Sequence, residues 1–116
     1  MTMDQLETAA FCYLTTVGRV TGRSHTIEIW FAHAGGTIYM LSGGGDRSDW
    51  VRNIDVTSAV TVRVAGTMHS GSGRIVTDET EIDRARHLVF TKYQPGYGDD
   101  LTEWRDSSLP VAVDLA

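Results

Sequence analysis

The chain has 116 residues, enough for one domain with one modest core. Its formal charge of −5 and pI near 5.2 speak against a nucleic-acid binder, whose contact face is basic. One cysteine, Cys12, excludes an internal disulfide, and no apolar run approaches the ~18 residues of a membrane helix. The N-terminus is acidic and lacks the basic and apolar regions of a signal peptide, so a soluble cytoplasmic protein is the expectation.

In chain order, residues 4–10 suit a short helical lead-in. Phe11–Val17 is rich in β-formers. His25–Phe31 alternates, with Ile27, Ile29 and Phe31 on one face and Glu28 and Trp30 on the other. Gly35-Gly36 marks a hairpin, Thr37–Ser42 a strand, and Gly43-Gly44-Gly45 its end. Trp50–Ile54 predicts a short helix behind the caps at residues 46–49. Val60–Val64 and Met68–Thr77 predict two strands. Glu79–Tyr93 has helical spacing, with Ile82, Ala85, Leu88 and Val89 on one stripe. Residues 99–105 suit a helical turn, and Leu109–Leu115 a closing strand. Six strands with short connections and few helices predict a mainly β fold, an antiparallel sheet curled into a small barrel. Residues 1–116 are expected to form a single domain.

Three constellations bear on chemistry. The first is the loop Gly18-Arg-Val-Thr-Gly-Arg23. Its glycines permit close backbone approach, and Arg19 and Arg23 present charged forks that match phosphate or carboxylate. A solvated turn has the same composition, so both readings stand, and His25 adds a weaker cation. The second is Ser42-Gly43-Gly44-Gly45, whose backbone N–H groups can face an anion before a helix. It lacks the Walker lysine and the dinucleotide spacing. The two loops become neighbours if the first and third strands both flank the middle one. The third constellation is aromatic. Trp30 and Tyr97 read as ligand contacts, Tyr93 as either ligand contact or core, and Tyr39, Trp50 and Trp104 as packing. His25, His33, His69 and His87 show no metal-ligand spacing, so no metal is expected.

Leu14-Thr-Thr-Val-Gly-Arg-Val-Thr-Gly-Arg, Ile38-Tyr-Met-Leu-Ser-Gly-Gly-Gly, Asp49-Trp-Val-Arg-Asn-Ile, Lys92-Tyr93 and Leu109-Pro-Val-Ala-Val together resemble the deazaflavin-dependent nitroreductase family. The resemblance runs in order from Phe11 to the end. It implies a six-stranded split β-barrel of the flavin-reductase and pyridoxamine-oxidase kind, coenzyme F420 as cofactor, and hydride transfer to an electron-poor acceptor such as a quinone, enone or nitro compound. It implies that Arg19, Thr21, Gly22, Arg23, His25, Ser42, Gly43, Gly44 and Gly45 hold the cofactor's phosphate and acidic tail. Trp30 would lie beside the deazaflavin ring, with Trp50 also in the cofactor set. Tyr93 and Tyr97 would serve the substrate pocket as catalytic residues. Val20 and Gly43 stand where the family usually carries lysine, and Glu28 where it often carries proline. Those differences keep FMN, or an apolar ligand with no redox centre, as alternatives. Split barrels often dimerise, so a homodimer is a further expectation.

Overall fold

The computed structural model describes residues 3–116. Helix α1 (Met3–Thr8) leads into β1 (Cys12–Val17), β2 (Ser24–Ile29), β3 (Ala32–Ala34) and β4 (Thr37–Ser42). Helix α2 (Asp49–Val56), β5 (Ala59–Val64), β6 (Thr67–Ile75), α3 (Glu79–Tyr93), α4 (Thr102–Ser107) and β7 (Leu109–Leu115) complete the order. The sheet has seven strands rather than the expected six. The strand expected over His25–Phe31 ends at Ile29, and after Trp30-Phe31 a further short strand, β3, adds the seventh.

That break explains the shape. The sheet order is β2-β1-β5-β6-β7-β4-β3, with every pairing among the described residues antiparallel. Its two edge strands, β2 and β3, are consecutive in the chain and joined by only two residues, Trp30 and Phe31. A link that short forces the edges together, and the sheet curls into a barrel split along one seam.

Alternation fills the interior. Cys12, Leu14, Ile38, Met40, Val60, Val62, Val64, Val111 and Val113 point inward, and α2 adds Val51 and Ile54. Outside, α3 covers β4 and β7: Ala85 and Val89 pack with Tyr39, Leu41 and Ala112. Those two strands are buried on both faces, which is why their sequences read as near-continuous apolar runs. Pro110 is tolerated in mid-sheet because it lies at the start of β7.

The N-terminal end of α3 is fastened by charge. Asp78 caps it, accepting from the Glu81 N–H at 2.9 Å. Arg74 on β6 donates to both Glu81 oxygens at 2.7 and 2.8 Å, and to Asp114 Oδ2 at 2.7 Å. Tyr39 donates to Glu81 Oε2 at 2.8 Å. The Arg74 hydrogen bonds hold the Glu81 carboxyl down at about 2.

Candidate active site

The Gly18–Arg23 segment is the β1–β2 hairpin. The Gly18 N–H donates to the Arg23 carbonyl at 2.7 Å, and the Gly22 N–H to the Gly18 carbonyl at 2.9 Å. Both glycines are needed. Gly22 has φ of +75°, and a Cβ on Gly18 would sit 2.8 Å from His25 Nε2. A cleft of about 490 Å³ opens between this hairpin, the first half of β2 and α2. Arg19, Val20, Thr21, His25, Ile27, Asp49, Trp50 and Asn53 are among its walls.

Arg19 is tethered there. Its backbone N–H and Nη1 both donate to Asn53 Oδ1, at 3.1 and 2.9 Å, and Nη2 pairs with Asp49 Oδ1 at 3.0 Å. Asn53 is buried and donates to Thr16 Oγ1 at 3.1 Å. Thr21 accepts from the Arg23 N–H. Arg23 and His25 are exposed, and neither side chain has a hydrogen-bond or ion-pair partner among the described residues. Val20 is 86% exposed on the rim.

The triglycine segment does not line this cleft, and its connection to the hairpin is not the one expected. β2 pairs only with β1, and β4 pairs with β3 and β7, so no shared middle strand brings the two loops together. The link is α2 instead, because its first residue, Asp49, takes the Arg19 fork. Upstream, Ser42 Oγ donates to the Gly45 carbonyl and shares a 2.9 Å contact with Ser48 Oγ. Ser48 is the N-cap of α2, yet no side chain caps that helix, which leaves its first N–H groups open to an acceptor. Gly43 and Gly44 are exposed.

The other end of β2 is aromatic. The Tyr93 ring stacks on Trp30 with centroids 4.3 Å apart and planes 3° from parallel. Tyr97 and Trp104 meet Trp30 edge-on at 5.5 and 5.8 Å. A Cβ on Gly43 would lie 3.4 Å from Trp104 Nε1, so the segment from Gly43 to Asp49 touches the aromatic cluster at one end and Arg19 at the other. At about 3.3 Å per residue, Trp30 lies roughly 10 Å along the chain from Ile27 in the cleft wall.

The tyrosines differ. The Phe31 N–H donates to the Tyr93 hydroxyl at 3.0 Å, and the hydroxyl proton is shared between the carbonyls of Ala10 (2.8 Å) and Phe31 (3.1 Å). Burial pushes Tyr93 up to about 12. Tyr97 is 45% exposed, and its hydroxyl has no hydrogen-bond partner among the described residues. Trp104, read from sequence as packing, belongs to the cluster around Trp30. Asp49 reads from sequence as a helix cap and Asn53 as part of the resemblance motif, neither as a site residue, although their four-residue spacing puts them on one helix face. Among the described residues no group of histidines, cysteines or carboxylates could hold a metal.

The sequence pattern of the F420H2-dependent quinone reductase family matches residues 2–116. The chain belongs to that family. Membership makes it an F420H2-dependent oxidoreductase acting on a small redox substrate and favours coenzyme F420 over FMN. Solved structures agree on the split-barrel fold. An F420-H2-dependent reductase superposes with a TM-score of 0.72 at 17% identity, covering 92% of this chain and 94% of that one. An F420 reductase gives 0.70 at 18%, covering 97% and 91%. A candidate pyridoxamine 5′-phosphate oxidase from Listeria innocua gives 0.72 at 18%, covering 97% and 89%. No curated protein sequence matches the chain. Among the described residues no helix is long and apolar enough to cross a membrane.

Proposed function

We propose that F420H2 lies along β2, with its acidic tail at the Gly18–His25 hairpin and its flat ring at the Trp30 cluster, and that the protein reduces quinones, enones or nitro compounds there. The observation that carries this reading is the pairing of opposite chemistries at the two ends of one strand. Cations and glycine backbone stand at the first end, and aromatic faces at the second. The residues present fit the cofactor in kind. Arg19, Arg23, His25 and the open N–H groups of α2 suit phosphate and carboxylates. Trp30 and its neighbours suit a flat heterocycle.

When bound, F420H2 supplies the hydride. The chain's own residues orient and enclose. Trp50 and Ile27 provide the apolar wall of the cleft, while Trp30 and Trp104 exclude water beside the ring. Tyr97 has the available hydroxyl, so it is the group to donate a hydrogen bond or proton to the acceptor oxygen. Tyr93, whose hydroxyl is engaged at the seam, serves the site through its ring. A cytoplasmic location belongs to the same proposal. So does a homodimer, supported by the likeness to a solved domain-swapped dimer at a TM-score of 0.72 and 17% identity.

The test is side-by-side titration of the purified protein with oxidised F420, reduced F420 and FMN. Saturable binding of F420 with a dissociation constant below tens of micromolar is expected, lost on Trp30→Ala together with Arg23→Ala. Absence of F420 binding removes the placement.

A further inference from the structure

The two-residue link between β2 and β3 lies outside both strand ladders. Phe31 is fully buried, so its N–H and C=O must find partners elsewhere. The last turn of α3 supplies both. Tyr93 Oη accepts from the Phe31 N–H at 3.0 Å, and Lys92 Nζ donates to the Phe31 carbonyl at 2.9 Å. The same ammonium lies 3.8 Å from the Phe31 ring centroid and 5.2 Å from that of Tyr93. Tyr93 in turn stacks flat on Trp30. Lys92, Phe31, Tyr93 and Trp30 thus form an unbroken chain of contacts, with the aromatic wall at its far end.

Lys92 is an expensive residue for this place. It is half-buried and has no ion pair among the described residues. Desolvation of an ammonium costs several kcal/mol. Burial accordingly brings Lys92 down to about 8. An unbranched apolar side chain would fill similar volume at less cost. What the cation adds is direction: a charge-assisted hydrogen bond to one carbonyl and a fixed seat over one ring.

We propose that Lys92 is a positioning residue for the reduction. With Tyr93 it clasps the Trp30-Phe31 link and so sets the tilt of the indole against which the cofactor ring is bound. The inference rests on the placement of the ring at Trp30. It assigns Lys92 no contact with cofactor or acceptor.

The test is made first without cofactor. Near-ultraviolet circular dichroism of the protein, minus that of Trp30→Phe, isolates the signal of the stacked Trp30–Tyr93 pair. Lys92→Met is expected to lose most of that signal. It should also weaken F420 binding several-fold, up to the roughly tenfold that one charge-assisted hydrogen bond is worth at the low end of its range. Lys92→Arg, which keeps a charged donor, is expected to restore both. A merely structural lysine would lower the melting temperature and leave the difference spectrum and the F420 affinity of the folded protein unchanged. That result overturns the proposal. If Lys92→Met does not fold, Lys92→Gln reads the same two signals, and an unchanged pair again overturns it. If the difference spectrum responds but wild-type protein binds no F420, the clasp stands and the cofactor placement fails. If F420 binds and the spectrum does not respond, the clasp fails alone.

Discussion

The two ends of β2 hold their residues in opposite ways. At the hairpin end, the chain's own polar groups occupy much of the binding capacity: Arg19 is tied to Asn53 and Asp49 before any ligand arrives. At the seam end, the rings are packed on one another, and Tyr93's hydroxyl is given to backbone. The hairpin end is pre-positioned by hydrogen bonds to α2, the seam end by stacking and by the end of α3. A grip built from exposed charges can be tuned by single surface substitutions. A wall built from packed rings changes only when its support changes.

The largest effect is expected where the hairpin end is buried. Asn53→Ala removes the acceptor of two Arg19 donors and the partner of Thr16. Leaving those groups unpaired should cost about 2–3 kcal/mol of stability. Urea unfolding measures it. A loss within about 0.5 kcal/mol, the range of an ordinary surface change, would show that α2 does not hold the hairpin.

The seam end is probed next through the far end of α3. Glu81→Gln weakens the Arg74 clasp and should cost about 1–2 kcal/mol at neutral pH, a figure reduced for the partly exposed guanidinium. The wild-type acid response follows from the sign of the shift. Glu81 is held at about 2 against an ordinary 4.5, so its contribution is complete above about 4.5 and lost as pH falls from there towards 2. Urea midpoints across that acid range should fall more steeply for wild type than for Glu81→Gln. Equal slopes would place the acid sensitivity elsewhere, with Asp114, which Arg74 also lowers, the next group to test.

The comparison also separates what was legible in the sequence from what was not. Elements with an uninterrupted period, such as Glu79–Tyr93 and Leu109–Leu115, were read with the observed bounds. The seventh strand was missed because Trp30 and Phe31 continue the alternation of β2 in sequence while their backbone leaves the ladder. Only closure of the sheet makes that break necessary. Gly18 and Gly22 were legible as the glycines of a hairpin, and Arg19 and Arg23 as its cations. The Asp49–Arg19 pair was not, since it joins residues 30 apart through the position of α2. Lys92 enters the sequence reading only through the Lys92-Tyr93 motif of the resemblance; its contact with Phe31 depends on which carbonyl the barrel leaves unpaired.

A third prediction turns on that hidden pair. Arg19→Ala should weaken F420 binding by about 1.5 kcal/mol, the bottom of the range for a charge-assisted contact, because part of the fork is already occupied. Asp49→Asn removes the competing negative charge at Nη2, with Nη1 still on Asn53, and should tighten binding instead. Titration of the two variants settles the direction. Weakening in both would mean that Asp49 orients Arg19 rather than competing for it.

The smallest effect is expected at Val20, and it isolates the electrostatics of the grip. The side chain is 86% exposed on the cleft rim, so replacing it disturbs no packing. It stands between Arg19 and Thr21 in a hairpin whose backbone is fixed by the Gly18–Arg23 and Gly22–Gly18 hydrogen bonds. Val20→Lys therefore adds a cation at a known position without moving the loop. An exposed charge pair is worth about 0.2–1 kcal/mol, so F420 should bind up to about fivefold more tightly at low salt. The gain should fade as ionic strength rises past about 0.1 M, where the screening length is about 10 Å. FMN, with one short phosphate and no long acidic tail, should gain less. A gain that survives high salt would point to a direct, desolvated contact. No gain for F420 at any salt would mean that its tail does not pass the hairpin, and the polar end of the cleft would lose its assignment while the aromatic end kept its own.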